Sequence, residues 1–203
     1  MNKKYFVTGI GTEIGKTIVS SVLVEKLKAD YWKPIQSGDL ENSDTDKVKK
    51  LISNSNSKFH PETYQFTQAF SPHLSAKLDH QHIDLSKINL PKTENNLIIE
   101  GAGGILVPLN DQDLMVDLIK KLNAEVILVS KNYLGSINHT LLTVEALKSR
   151  GIAIKGIIFN GVKNPSSEEI IAHLTQLTIL GYVPELQKLD QEQIKEAGIF
   201  LNL

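Results

Sequence analysis

The chain contains no cysteine. That absence excludes disulfides, thiolate-bound zinc and a cysteine nucleophile. All but one of its 22 basic residues are lysine, the exception being Arg150. Arg150 falls in the last turn of a helical pattern just before Gly151, where a cation suits the helix dipole, and it reads as structural. An arginine finger supplied by this chain is therefore not expected. Any anion in a site must be held by lysines, backbone N–H groups and metal. The formal net charge of −1 gives no electrostatic case for nucleic acid. No apolar run approaches the roughly 20 residues of a membrane span, so no membrane partner is expected. A strand pattern begins almost at once, leaving no room for a signal peptide and making the cytoplasm the default compartment. Composition is otherwise ordinary, 41% hydrophobic and 22% charged. The 203 residues suit one α/β domain, 1–203, with a proper core.

What is present is organised around residues 3–17, KKYFVTGIGTEIGKT. A short apolar run (Tyr5, Phe6, Val7) breaks into Thr8-Gly9-Ile10-Gly11. Gly15-Lys16-Thr17 follows, then a helical pattern with apolar positions 18, 19, 22, 23, 24 and 27. Strand, glycine-rich loop, Gly-Lys-Thr and helix are the parts of a phosphate-binding loop. Glycines let successive N–H groups turn inward as an anion nest, and the helix points its positive end at the same place. Lys16 brings a mobile charge to the β- and γ-phosphates, and Thr17 a hydroxyl to Mg2+. The usual loop has four residues between its glycines; here Gly9 and Gly15 enclose five, and Ile10 stands where that pattern has glycine. A nucleoside triphosphate is the expected ligand.

Further strand patterns lie at 31–35, 96–100, 125–130, 154–160 and, more weakly, 179–183. Pro34 places the second at a sheet edge or ends it there. Apart from the first, these are mostly continuous apolar runs, which suits strands covered on both faces. Helical patterns at 17–28, 113–122, 137–149 and 166–178 alternate with them. The expected fold is P-loop NTPase-like α/β, a mostly parallel sheet with helices on both faces. Residues 40–93 are polar, with short helices expected around 44–53 and 73–79.

Ligands of an open parallel sheet bind beyond the carboxyl ends of its strands, and nearly every suggestive group falls there. Glu100 closes the run NLIIE before Gly101-Ala102-Gly103-Gly104. A lone buried carboxylate is costly unless paired or metal-bound, so Glu100 is either a Mg2+ ligand or an exposed strand end. Asp44 and Asp46 lie in NSDTD, which reads as a helix N-terminus with Ser43 or Asp44 as cap, or as a source of a Mg2+ ligand at Asp44. Lys33, in WKPIQSG, is a surface lysine or, paired with Ser37, faces the γ-phosphate. Glu13 lies inside the loop, where negative charge opposes a triphosphate, so it points elsewhere, toward a cationic substrate group. Ser136 is a natural cap for the helix 137–149, and that helix N-terminus is also a carboxylate site. Asn160 either pairs with an adenine edge or forms an Asn-Gly turn. His80 and His82 lack a third metal ligand and read as surface loop. His73 reads as structural or as a donor near substrate.

Taken together, YFVTGIGTEIGKT, WKPIQSG, NSD, SPHLSA, IIEGAGGILVPL, LGSINHTLLT and FNGV resemble the ATP-dependent dethiobiotin synthetases of biotin biosynthesis, over nearly the whole chain. The long loop is itself a feature of that family. The resemblance implies a homodimeric ligase that uses Mg-ATP and CO2 (or bicarbonate) to close the ureido ring on 7,8-diaminononanoate, giving dethiobiotin, ADP and phosphate. It implies that Lys16 and Lys33 bind phosphate and the reacting carbamate, and that Thr17, Asp44 and Glu100 hold Mg2+. Nucleotide contacts are implied at Glu13, Ile14, Gly15, Lys16, Thr17, Ile18, Asp44, Glu100, Gly101, Ala102 and Gly103. Asn160 and Gly161 fit the adenine side, joined by Val183, Pro184 and Glu185. Substrate contacts are implied at Thr12, Glu13 and Ser37. Residues Leu134 to Asn138, including Gly135, Ser136 and Ile137, look like the segment that receives the substrate carboxylate across the dimer interface. The family's loop usually reads Gly-Thr-Asp-Thr; here Gly11 replaces that aspartate, which removes any role for it in orienting the diamine.

Rival readings predict features that are missing. A partition- or septum-site ATPase favours an extra lysine early in the loop and a membrane-binding C-terminal helix, and neither is found. An amidating cobyrinate synthetase carries a glutaminase domain, for which this chain is too short. A nucleotide-binding interaction module would turn over ATP without need of a diamine.

Overall fold

The computed structural model describes residues 2–203. In chain order its elements are β1 (Lys4–Gly9), α1 (Lys16–Leu27), β2 (Asp30–Trp32), β3 (Ile35–Ser37), α2 (Asp44–Leu51), β4 (Phe59–His60), β5 (Tyr64–Phe66), α3 (Pro72–Leu78) and β6 (Leu97–Gly104). There follow α4 (Met115–Leu122), β7 (Glu125–Lys131), α5 (Ser136–Lys148), β8 (Ile154–Gly161), α6 (Pro165–Thr175), β9 (Ile179–Pro184) and α7 (Gln191–Ala197). Seven strands form one sheet in the order β4-β2-β6-β1-β7-β8-β9, and β3 pairs with β5 in a small second sheet. Every strand pairing is parallel.

Successive strand residues point to opposite faces, yet both Ile98 and Ile99, and both Ile127 and Leu128, are fully buried. Both faces of the central strands are therefore covered, as their continuous apolar sequences require. Helix α1 packs against α2 and α7, and α5 against α6. From central β1 the chain moves to β2 on one side and later returns to β7 on the other, so the order in which strands are added reverses around β1. That switch point opens a crevice at the carboxyl end of β1, where the glycine-rich loop sits.

Several local expectations change. Pro34 ends β2 at Trp32 rather than marking an edge: β2 lies between β4 and β6, and the two-residue β4 takes the edge. Ser136 is not the cap of α5. Gly135, with φ of 102°, occupies that position and Ser136 is the first helical residue. Residues 101–104 continue β6 instead of following it as a loop. The C-terminal helix α7 was not legible as periodic apolar sequence, although Asp190 caps it by accepting from Gln193 N at 3.0 Å.

Candidate active site

The phosphate loop leaves β1 and enters α1 through Gly15, whose φ of 90° suits glycine. The first turn of α1 holds no acidic residue, leaving the helix N-terminus free to attract an anion. Lys16 is nearly buried, and its Nζ donates to Gly11 O at 3.0 Å, folding back over the loop. Burial lowers its pKa from the ordinary lysine value against the opposing pull of Glu100. Thr17 Oγ1 donates to Glu100 Oε1 at 2.8 Å.

Glu100 reaches the same point from β6, the neighbour of β1, and is only 1% exposed. Three donors meet its carboxylate. Lys33 Nζ lies 3.2 Å from Oε1 beside the Thr17 contact, and the Tyr31 hydroxyl donates to Oε2 at 3.0 Å. Lys33 sits in the break between β2 and β3, is 5% exposed, and also pairs with Asp44 Oδ2. Burial works against its charge, but Glu100 and Asp44 outweigh that effect and raise its pKa. The ammonium therefore remains protonated at neutral pH.

Asp44 is free for this pairing because others cap its helix. Ser43 Oγ accepts from Asp46 N at 3.2 Å, and Asp46 accepts from Ser43 N at 3.1 Å. Burial raises the Asp44 pKa, but Lys33 and then Lys47 more than compensate and hold it low. Lys33, Asp44, Glu100, Thr17 and Lys16 line one cavity of about 730 Å3. Thr12, Glu13, Gly15, Ile18, Gln36, Ser37, Phe70, Ala102 and Gly103 also line it. The buried Ser37 hydroxyl there has no protein partner.

Two carboxylates and one hydroxyl fit a hard cation such as Mg2+, whose remaining positions are filled by phosphate and water. No cluster of three or more His, Cys, Asp or Glu side chains occurs among the described residues. The donors suit a metal that arrives with its nucleotide rather than one held in an all-protein cage.

Residues 3–193 match the sequence profile of the AAA domain family. The chain is 53% identical to the ATP-dependent dethiobiotin synthetase BioD of Christiangramia forsetii, an alignment covering 97% of this chain and 94% of the relative. It is 52% identical to the protein of that name from Cytophaga hutchinsonii, over 98% and 97%. The chain belongs to the dethiobiotin synthetase family.

Solved structures with a similar fold include a ParA family ATPase from Chlorobium tepidum (TM-score 0.62, 11% identity, covering 99% of this chain and all of that one). Another is the MinC:MinD cell division complex of Aquifex aeolicus (TM-score 0.60, 13% identity, 96% and 86%). At such identities the likeness carries the fold alone. It explains why a partition ATPase was the natural rival, whereas overall sequence similarity places the chain among the synthetases.

Within this synthetase, the loop, both lysines, Ile18, Asp44, Glu100, Ala102, Gly103 and Ser37 converge on one cavity, whereas Gly101, Asn160, Gly161, 183–185 and 134–138 do not line it. Gly101 does not line it; a Cβ there would lie 2.6 Å from Phe6 Cε1, so its missing side chain makes room for a core ring. Asn160 Nδ2 donates one of its two hydrogens to Ile14 O at 2.8 Å, which ties the carboxamide to the phosphate loop. Asn160 and Gly161 pair with Val183 and Pro184 across β8 and β9. Pro184 and Glu185 line a separate cavity of about 210 Å3. Gly135, Ile137 and Asn138 line a third of about 730 Å3, together with Tyr133, Leu134 and Lys163; Ser136 lies beneath, buried. Two groups at the site, Tyr31 bonded to Glu100 and Phe70 on the cavity wall, escaped sequence reading. Tyr31 reads as an ordinary strand aromatic, and Phe70, 55% exposed at the cavity wall, reads as loop.

Proposed function

We propose that this ATP-dependent ligase of biotin synthesis closes the ureido ring in the cavity around Lys33. The observation that supports this is the convergence of two buried lysines, two carboxylates and the loop helix N-terminus on one space. No cysteine or histidine lines that space, and this chemistry needs no nucleophile from the protein. One amine of 7,8-diaminononanoate adds to CO2, forming an N–C bond and losing a proton, to give a carbamate. A carbamate oxygen attacks the γ-phosphorus of ATP and ADP leaves. The second amine then attacks the carbonyl carbon of the mixed anhydride, expels phosphate and closes the ring. Lys33 holds the carbamate oxygens beside the γ-phosphate. Lys16 swings from Gly11 O to the phosphates, and loop N–H groups hold the remaining oxygens. Catalysis is positioning and electrostatics. Thr17, Asp44 and Glu100 would hold Mg2+, which supplies charge neutralisation at the phosphates. Glu13 and Ser37 orient the diamine.

The working form is proposed to be a homodimer. Leu106, Tyr133, Leu134, Leu142 and Val162 are all exposed large apolar residues. Pairing over that surface would carry the 134–138 segment to the partner's site, where the N-terminus of α5 receives the substrate carboxylate. The test is phosphate release from Mg-ATP with and without 7,8-diaminononanoate and bicarbonate. Strict dependence on both, lost in Lys33→Ala, is expected. Hydrolysis indifferent to the diamine would sink the reading.

A further inference from the structure

We infer that Tyr31 is a positioning residue of this site: its bond to Glu100 Oε2 determines that Glu100 presents Oε1 to the nucleotide. The inference rests on the proposed role of Glu100 as a metal ligand.

The two side chains meet because of strand register. Tyr31 pairs with Ile98 across β2 and β6, and Glu100 lies two residues further along β6. Positions two apart share a face, so the phenol and the carboxylate project to the same side of the sheet. Tyr31 is fully buried, and its ring sits 6.0 Å from that of Phe59, tilted by 50°. The hydroxyl is thus fixed by the sheet itself. A tyrosine hydroxyl is protonated at neutral pH, and a carboxylate oxygen can only accept from it, so the phenol is the donor.

The other two partners of Glu100 are differently placed. Thr17 and Lys33 both meet Oε1, and both are needed by phosphate and metal when the nucleotide enters. Tyr31 alone binds the oxygen turned away from Lys33 and makes no contact with the ligand space. It is the one contact that persists unchanged through turnover. Without it, Glu100 retains only partners that the ligand itself recruits, and the carboxylate loses its fixed plane. Groups that orient a metal ligand from behind are commonly worth about 10–100-fold in metal affinity.

The experiment measures calorimetric binding of a non-hydrolysable ATP analogue at increasing Mg2+. It compares wild type, Tyr31→Phe, Glu100→Gln and the double variant. Phenylalanine keeps the ring against Phe59 and removes only the donor. Tyr31→Phe is expected to raise the half-saturating Mg2+ concentration about tenfold or more, with analogue affinity in EDTA unchanged. Glu100→Gln should be impaired at least as much, and the double variant no worse than Glu100→Gln. A merely packing role for Tyr31 predicts lower thermal stability with a wild-type Mg2+ response. A normal Tyr31→Phe beside an impaired Glu100→Gln would overturn the inference and leave the site assignment standing. Additive defects in the double variant would show that Tyr31 does not act through Glu100. An identical Mg2+ response in all four proteins would remove the metal role of Glu100 and the inference with it.

Discussion

Replacing Gly15 with alanine tests whether the phosphate loop is braced by β8. Gly15 has φ of 90°, and a Cβ built there lies 2.1 Å from Asn160 Nδ2. Two costs combine. Holding an L-residue in the left-handed region costs about 1–2 kcal/mol. Driving the amide aside breaks its 2.8 Å bond to Ile14 O, and leaving such buried groups unpaired costs about 1–3 kcal/mol. The sum, about 2–5 kcal/mol, corresponds in a chain of this size to a fall in Tm on the order of 5–15 °C. Nucleotide affinity should fall about ten- to hundredfold as the nest opens, if 1.4–2.8 kcal/mol of that strain reaches the loop. Differential scanning calorimetry and titration with ATP measure the two effects. The decisive control is the Asn160→Ala background, which has already lost the bond and leaves the new methyl nothing to strike. There Gly15→Ala should cost only its backbone strain, giving a coupling of about 1–3 kcal/mol between the two sites. A Gly15→Ala protein that melts and binds like wild type would refute the reasoning, as would strict additivity.

Three further outcomes are expected. Ser37→Ala removes a buried hydroxyl that has no protein partner, so Tm should hold or rise, while the KM for the diamine increases about three- to tenfold, the worth of one hydrogen bond; an unchanged KM would remove Ser37 from the substrate site. Asp30 is buried at the start of β2 and accepts from Thr93, Asn95, Lys58 N and His60. Burial raises its pKa, but those contacts together overcome this and lower it. Because the folded value lies below the unfolded one, its stabilisation is present above about pH 4 and lost as pH falls through the folded value. Asp30→Asn should therefore be less stable than wild type at pH 7, and the gap should close below pH ~4 in denaturant titrations; a gap independent of pH would refute this. Leu134→Glu puts a charge on a fully exposed apolar side chain, so if the proposed dimer pairs there, sedimentation should show monomer with its thermal stability preserved. Unaltered association would place the interface elsewhere.

The phosphate loop was legible because its determinants are local: glycines, Lys16 and Thr17 at one strand–helix junction, with the helix dipole behind them. The parallel sheet was legible for a related reason, since a strand buried on both faces must be apolar at every position. Where reading faltered, a distant group had decided the matter. Ser136 has the chemistry of a cap, but the positive φ of Gly135 takes that position one residue earlier. Gly101 makes room for Phe6 on the neighbouring strand, a contact that no local pattern names. The exposed alternative for Glu100 fails because the side chain is buried, whereas the cap read from NSDTD is found at Ser43, which leaves Asp44 free to pair with Lys33.

By itself, the sequence determined that this chain folds a nucleotide loop onto a parallel α/β sheet, because periodicity and glycine placement act within a few residues. Only the tertiary structure decided that Lys33 sits between Asp44 and Glu100, that Tyr31 backs the same carboxylate, and that Asn160 grips the loop from 146 positions away. Those pairings depend on strand order and register, and burial makes them strong: away from water, each charge or amide must find a partner that no local pattern names.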